Sequence, residues 1–213
     1  MDLHTYFRSS AAFRVRIALN LKGLAWTPHY VHLPKGEHRG AAYTAINPQA
    51  LVPTLQVDGL RLTQSLAIIE YLEETHPEPA LLPREPAARA TVRALALLVA
   101  CEIHPVNNLR VLQHLRKHIG LDEAGVNAWY RHWVADGLGK FEAALRDTGV
   151  RGAFCHGETP TLADICLVPQ IFNAQRFDCD LSPYPRTMMA FDACMKLEAF
   201  DRAQPSKQAD AEG

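Results

Sequence analysis

No stretch of the 213-residue chain is long and apolar enough to span a bilayer, which takes about 20 residues. The N-terminus, Met1-Asp2-Leu3-His4, has neither a basic segment nor an apolar run behind it, so no export leader is expected. Charge of neither sign is in excess: 22 Lys and Arg balance 23 Asp and Glu, for a net charge of -1. Without a basic face, no nucleic-acid partner is expected, and no membrane association either. Cysteine is sparse: five residues, at 101, 155, 166, 179 and 194, with no Cys-x-x-Cys. An odd set without a leader fits reduced thiols in the cytoplasm. The ten histidines include no His-Glu-x-x-His or comparable ligand spacing, so no metal site is expected. Internal repeats are also missing. The 48% hydrophobic and 21% charged residues match a globular protein with one large core or two small ones.

The chain then reads as two kinds of pattern. Leu3–Phe7 is a short apolar strand, and Ser9-Ser10 supplies helix-starting chemistry. Val15, Ala18 and Leu19 give the helix an apolar face, with Gly23 as its stop. Thr27–Leu33 is a second strand, parallel to the first by the handedness of a βαβ crossover. A helix over Arg39–Ile46 is allowed before Asn47-Pro48. Asp58-Gly59 between two short apolar segments is a hairpin signal, and Ile68, Ile69 and Leu72 place a helix after Gln64-Ser65. The order is β-α-β-α-β-β-α, a small mixed sheet with helices.

His76–Pro86 holds prolines at 77, 79, 83 and 86, a tract too poor in donors for helix or sheet, hence a linker. Beyond it the pattern is helical. Ala87–His118 reads as one long helix kinked near Glu102 by Pro105. Val126, Trp129, Trp133, Phe141 and Leu145 mark a second helix, ended by Gly149. Thr161-Leu162-Ala163-Asp164 is a capping box opening a helix over Ile165–Ala174, with Pro169 inside it. Pro183 and Pro185 precede a further helix to about Leu197, and Gln204–Gly213 reads as a frayed tail. The expected division is an α/β domain over residues 1–80 and an all-α domain over residues 87–213.

Chemistry concentrates at Phe7–Leu19, where Arg8, Ser9, Ser10, Arg14 and Arg16 fall within nine residues. A helix N-terminus beside serines is an anion site, because unpaired N–H groups and the helix dipole favour negative charge there. The plainer reading of either serine is a helix cap, and with two serines both readings can hold. Arg14 and Arg16 are read as structural or interface residues, and a lone arginine elsewhere as a solvated charge.

The chain resembles the zeta class of glutathione transferases, which includes the maleylacetoacetate and maleylpyruvate isomerases. The resemblance spans essentially the whole sequence. It is carried by Arg8-Ser9-Ser10 with Arg14–Leu19, by Asn47-Pro48, by Val52-Pro53-Thr54-Leu55, and by Gln64–Leu72. Further on it is carried by Thr161–Asp164, Leu167–Gln170, Asn173-Ala174-Gln175-Arg176-Phe177 and Pro183-Tyr184-Pro185. It implies a thioredoxin-like N-terminal domain followed by an all-helical one, a homodimer, and glutathione as cofactor. The implied activity is cis–trans isomerisation of a dicarboxylic diketo acid in aromatic catabolism: maleylacetoacetate first, maleylpyruvate as the alternative. One departure stands out: the family reads Ser-Ser-Cys at the helix start, and position 11 here is Ala, so the protein itself supplies no thiol there.

Such a reaction needs a thiolate at neutral pH, although a free thiol titrates near 8.5. Lowering that by about two units takes roughly 2.7 kcal/mol. One charge-assisted hydrogen bond contributes about 1.5–3 kcal/mol and a helix N-terminus up to about 2, so the Ser9–Ser10 start is sufficient in size. The resemblance assigns the catalytic role to Ser10, with Ser9 close behind. Glutathione would be held by Ser10, by the main chain at Val52-Pro53 as an added strand, and by Gln64 and Ser65 at a second helix N-terminus. His38, Gln49, His104 and Asn108 are further contacts expected for it. Arg8, Arg110 and Arg176 are the candidates for the substrate carboxylates, since guanidinium forks suit them. Two other functions stay open at this stage: a transferase acting on small electrophiles such as α-halo acids, and a non-catalytic thioredoxin-fold binding module.

Overall fold

The computed structural model describes residues 1–212. Its chain divides into two compact units, residues 1–80 with 195–213, and residues 81–194. The first unit is built on strands β1 (Asp2–Thr5), β2 (Thr27–Tyr30), β3 (Thr54–Val57) and β4 (Leu60–Thr63). They form one mixed sheet in the order β2-β1-β3-β4, with β1 parallel to β2 and antiparallel to β3, and β3 antiparallel to β4. This is the small mixed sheet that the sequence pattern predicts and the thioredoxin-like arrangement that the resemblance implies. The β3–β4 turn is made by Asp58 and Gly59, at φ 49° and 79°, the left-handed pair a two-residue hairpin requires.

Helices α1 (Ser10–Leu21), α2 (Ala41–Thr44) and α3 (Ser65–Thr75) complete the N-terminal part, with a 3-10 turn over Glu37–Arg39. The expected helix at 39–46 is therefore shorter and split. Leu3 and Leu55, paired across β1 and β3, are fully buried along with Ile68, Ile69 and Leu72 of α3 and Phe13, Ile17 and Leu19 of α1. Instead of one apolar face, α1 buries nearly its whole circumference, because α3 and a C-terminal helix, α9 (Glu198–Ala203), both pack on it. The Lys22 ammonium is buried after α1, donating to Glu73 (2.8 Å) and to the carbonyls of His76 and Pro79. It thereby satisfies carbonyls left open at the end of α3.

The segment after α9 departs from the expected frayed tail and from the expected 87–213 division. Pro205 is buried, Phe7 N–H donates to Asp210, and His32 pairs with Glu212. Those hydrogen bonds hold residues 195–212 to the first unit.

The second unit contains α4 (Pro86–Leu97), α5 (Leu109–His114), α6 (Glu123–Asp147), α7 (Leu162–Arg176) and α8 (Pro185–Met195). The helix expected over 87–118 is broken rather than kinked. After α4 come a π-helical turn over Leu98–Ile103 and a non-helical turn, and α5 restarts at Asn108. Pro105 has no N–H to continue the ladder, and the Asn108 side chain caps the restart by accepting from Arg110 N–H (3.1 Å). A second π-helical turn over Leu115–Ile119 ends at Gly120, at φ 82°.

The α6 helix ends before Gly149 (φ 61°) as expected. Burial surrounds α7 along Leu162–Ile171, and the helix runs through Pro169 without a break. Its capping box is closed by Asp164, which accepts from the N–H and hydroxyl of Thr161 and from Cys155 N–H.

Candidate active site

Ser9 sits at the N-cap of α1 in extended geometry and accepts from Ala12 N–H (3.2 Å). Ser10 is the first helical residue and is buried. Ser9 Oγ spends one acceptor lone pair on the cap and keeps its O–H as a donor. Arg8, just before, is exposed, with its guanidinium 4.9 Å from the Phe7 ring centroid.

The second anion-ready helix start is α3. Its N-cap, Gln64, makes no side-chain cap bond, whereas α1, α4, α6 and α7 are all capped by side chains. The N–H groups opening α3 thus point at an uncapped end, with buried Ser65 among them. Gln64 is held at φ 68°, an uncommon conformation for a residue with a Cβ, and its side-chain amide donates to Gln49 Oε1 (3.0 Å). Two expected contact residues are therefore tied together.

Arg14, one turn into α1, reaches the start of α3. Its Nη1 lies 3.4 Å from Ser65 Oγ, and the guanidinium is buried. The expectation for Arg14 is a structural or interface residue, and it is buried. Its spacing from Ser10, one helical turn on, is the signal that placed it on the same face.

Val52 precedes Pro53 across a cis peptide bond. Both are buried, and neither Val52 N–H nor its C=O is taken by another main-chain group among the described residues. The Val52 side chain packs with Tyr6, Phe7, Val31 and Tyr43, while Tyr43 and Asn47 anchor the preceding carbonyl of Leu51 (2.6 and 2.8 Å). His38 is half-buried, and its Nδ1 has no hydrogen-bond partner in the first unit. Burial, reinforced by the Arg39 charge, lowers its pKa.

The remaining expected residues lie in the second unit. His104 stands in the turn after the π-helical segment, half-buried. Asn108 spends its side-chain oxygen on the α5 cap, which leaves its amide N–H groups for a ligand. Arg110 is exposed in the first turn of α5. Arg176 closes α7, with its guanidinium 4.9 Å from the Phe177 ring centroid. Phe177 stacks on Tyr130 at 3.7 Å, and Arg131 Nε donates to Phe177 C=O (2.8 Å). Tyr130 and Arg131 thus fix the end of α7 that carries Arg176, a role that nothing in their own surroundings in the sequence signals. Burial pushes the Tyr130 phenol far above its ordinary range, although the Arg176 charge opposes that shift.

Among the described residues, no group of three or more His, Cys, Asp or Glu side chains is arranged to hold a metal ion, and no helix is long and apolar enough to cross a membrane.

A thioredoxin-like sheet with an open strand at Val52 and two anion-ready helix starts defines a glutathione transferase, and residues 8–75 match the family described as glutathione S-transferase, N-terminal domain. The chain is 50% identical over 211 residues to a maleylpyruvate isomerase of Ralstonia, covering 99% of this chain and 100% of that protein. It is 48% identical over 213 residues to a maleylacetoacetate isomerase of Pseudomonas aeruginosa, covering 99% and 98%. Among solved structures it matches, at TM-score 0.98 and 50% identity with both chains fully covered, the holo structure of a maleylpyruvate isomerase described as a bacterial zeta-class glutathione S-transferase. Within the glutathione transferases, the chain belongs to the zeta-class family of maleylacetoacetate and maleylpyruvate isomerases.

Proposed function

We propose that the protein is a glutathione-dependent isomerase converting maleylacetoacetate to its trans isomer in aromatic catabolism. The observation that carries the reading is the pair of helix starts in one unit. The Ser9–Ser10 start of α1 and the uncapped Ser65 start of α3, which Arg14 of α1 reaches, are accompanied by the open main chain of Val52. Glutathione presents a matching set of groups: a thiol, a γ-glutamyl carboxylate and a peptide backbone. When bound, it supplies the sulfur nucleophile whose reversible addition lets the substrate double bond rotate.

The chain's own residues do the rest. Ser10, seconded by Ser9, donates to the sulfur and holds it as the anion, helped by the α1 dipole. Ser65 and the open N–H groups of α3 receive the γ-glutamyl carboxylate, and the Arg14 guanidinium adds positive charge beside them. Val52 pairs with the peptide as an added strand. Gln64, Gln49 and His38 are the further candidates for contacts to glutathione, as are, by the family resemblance, His104 and Asn108. Arg8, Arg110 and Arg176 take the carboxylates of the substrate. Ala11 brings no sulfur, so isomerisation runs on the cofactor thiol alone. The protein acts in the cytoplasm as a homodimer, a state that sedimentation tests directly.

Maleylpyruvate is the second reading, favoured by the 50% identity to the Ralstonia protein of that name. Isomerisation rates on both diketo acids, with and without glutathione, decide the matter. A rate on maleylacetoacetate that depends on glutathione and exceeds that on maleylpyruvate is expected. The reverse preference selects the second reading. Stable conjugation of small electrophiles with negligible isomerisation defeats both.

A further inference from the structure

We propose that Asp210, beyond α9, is a positioning residue for the Ser9–Ser10 helix start, acting through the main chain of Phe7. This rests on the reading of Ser9 and Ser10 as the groups that face the glutathione sulfur. Phe7 stands two residues before the N-cap, and both of its main-chain groups are held by side chains. Its N–H donates to Asp210 Oδ2 (3.0 Å), and its C=O accepts from Arg16 Nη2 (3.0 Å). Tyr6 C=O accepts from Arg16 Nη1 (3.3 Å) and from Ser9 N–H (3.0 Å). The same guanidinium donates through Nε to Ala203 C=O at the end of α9 (3.1 Å). One Arg–Asp pair therefore grips the chain where it turns into α1, and half of that pair arrives from the far end of the sequence.

Asp210 is more than one anchor of the tail among several. Pro205 is buried, Arg16 holds Ala203, and His32 pairs with Glu212 (2.9 Å), so the segment is docked without its carboxylate. Asp210 Oδ1 is buried with no hydrogen-bond partner. The carboxylate therefore spends its burial on a single amide, which makes sense where that amide's position matters. A hydroxyl displaced by about 1 Å from an ionised atom can forfeit up to 10²-fold of its effect, and a loosened Phe7 transmits its motion through Arg8 alone to Ser9.

The test measures the thiol pKa of bound glutathione from thiolate ultraviolet absorbance, glutathione affinity by calorimetry, and amide hydrogen exchange at Phe7, in the wild type, D210A and D210N. The wild type must bind glutathione and lower its thiol pKa. If it does neither, the proposed function fails, and this inference with it. Given that, D210A is expected to bind glutathione with unchanged affinity at about pH 5, where the bound thiol is protonated, while ionising it about tenfold less readily, a rise of about one pKa unit matched by about tenfold weaker binding of the thiolate. D210N, whose amide oxygen still accepts from Phe7 N–H, keeps the wild-type titration. Lys207→Ala, at an exposed ion pair with Asp201 (3.6 Å), leaves every readout unchanged. A folded D210A with a wild-type thiol titration overturns the proposal, and so does a D210N as impaired as D210A. Should D210A fail to fold, exchange at Phe7 decides. Slow exchange in wild type and D210N supports the hydrogen bond, and exchange at the rate of an open loop in either refutes it.

Discussion

Glu142, in the middle of α6, is expected to be one of the most costly side chains to remove from the helical unit. Its carboxylate is buried and caps the N-terminus of α8. Oε2 accepts from Thr187 N–H (2.8 Å) and the Thr187 hydroxyl (2.7 Å), and Oε1 accepts from Arg186 N–H (3.1 Å) and from Arg146 (2.9 Å). In E142A, Thr187, which is fully buried, loses acceptors for two donors, and each buried unsatisfied donor costs about 1–3 kcal/mol. The lost helix cap adds about 1 kcal/mol, and relief of the carboxylate's own burial offsets part of the sum. The net expectation is about 3 kcal/mol, or a Tm lower by about 6–12 °C for a chain of this size. E142Q retains one acceptor oxygen but turns an NH2 toward Arg186 N–H and Arg146, for about 1–2 kcal/mol.

The pH dependence has a definite sign. Burial alone raises this carboxyl's pKa, but the bonds from Thr187, Arg186 and Arg146 together outweigh it and hold the group below its ordinary value. A depressed acid contributes stability that is full above the unfolded pKa, about 4.3, and is lost as pH falls through the lower folded value. The Tm gap between wild type and E142Q should therefore narrow below pH about 4. Fluorescence melts read this well, because Trp129 and Trp133 lie on the same helix as Glu142. An E142A loss under about 1 kcal/mol, less than one typical cap and one orphaned donor together, refutes the reasoning, as does a gap that ignores pH.

Three further predictions concern the site and its support. Ser10→Ala should lower kcat/KM about 10–100-fold by removing a charge-assisted bond to the thiolate. Ser9→Ala should mainly lower Tm, by the equivalent of about 1 kcal/mol for a lost cap, and the opposite ranking would exchange their roles. Ser65→Ala should weaken glutathione binding about tenfold in calorimetry and leave kcat at saturating glutathione unchanged; a kcat defect instead would move Ser65 to the chemistry. Gly137→Ala puts a Cβ 2.3 Å from Ile103 Cγ1, where α6 meets the π-helical turn, and should cost about 1–3 kcal/mol. Pairing it with Ile103→Ala, which removes Cγ1 and Cδ1, should recover part of that loss in a double-mutant cycle, and strict additivity would show that the contact is not the cause.

What the sequence disclosed and what it concealed divide along the range of the interactions. The Asp58-Gly59 turn, the Thr161–Asp164 box and the two helix starts at Ser9 and Gln64 are decided within four residues, and each stands where its local chemistry puts it. Arg8, Ser9, Ser10, Gln64 and Ser65 are legible in the sequence as candidates because an anion at a helix start is a local matter. The partners of the structural residues Arg14 and Arg16 are not. Two residues apart on a helix, the two arginines point about 200° apart. That would ordinarily leave one of them in water, and it is why an amphipathic helix with a single apolar face was the natural expectation. Both are buried because α3 covers one side of α1 and α9 the other. Arg14 thereby reaches Ser65, and Arg16 reaches Ala203. No window around Arg16 contains α9, and none around Gln204–Glu212 distinguishes Asp210 from any solvated carboxylate in a polar tail. The break at Pro105 illustrates the same limit in milder form: a proline predicts that the helix fails, but the next residue able to cap a restart, Asn108, determines that it stops rather than bends. The serines proposed to prepare the nucleophile are thus locally encoded, while Asp210, proposed to hold them still, lies at the far end of the chain. Substitutions in residues 195–212, outside every motif that marks the family, are accordingly where loss of activity without loss of glutathione binding is most to be expected.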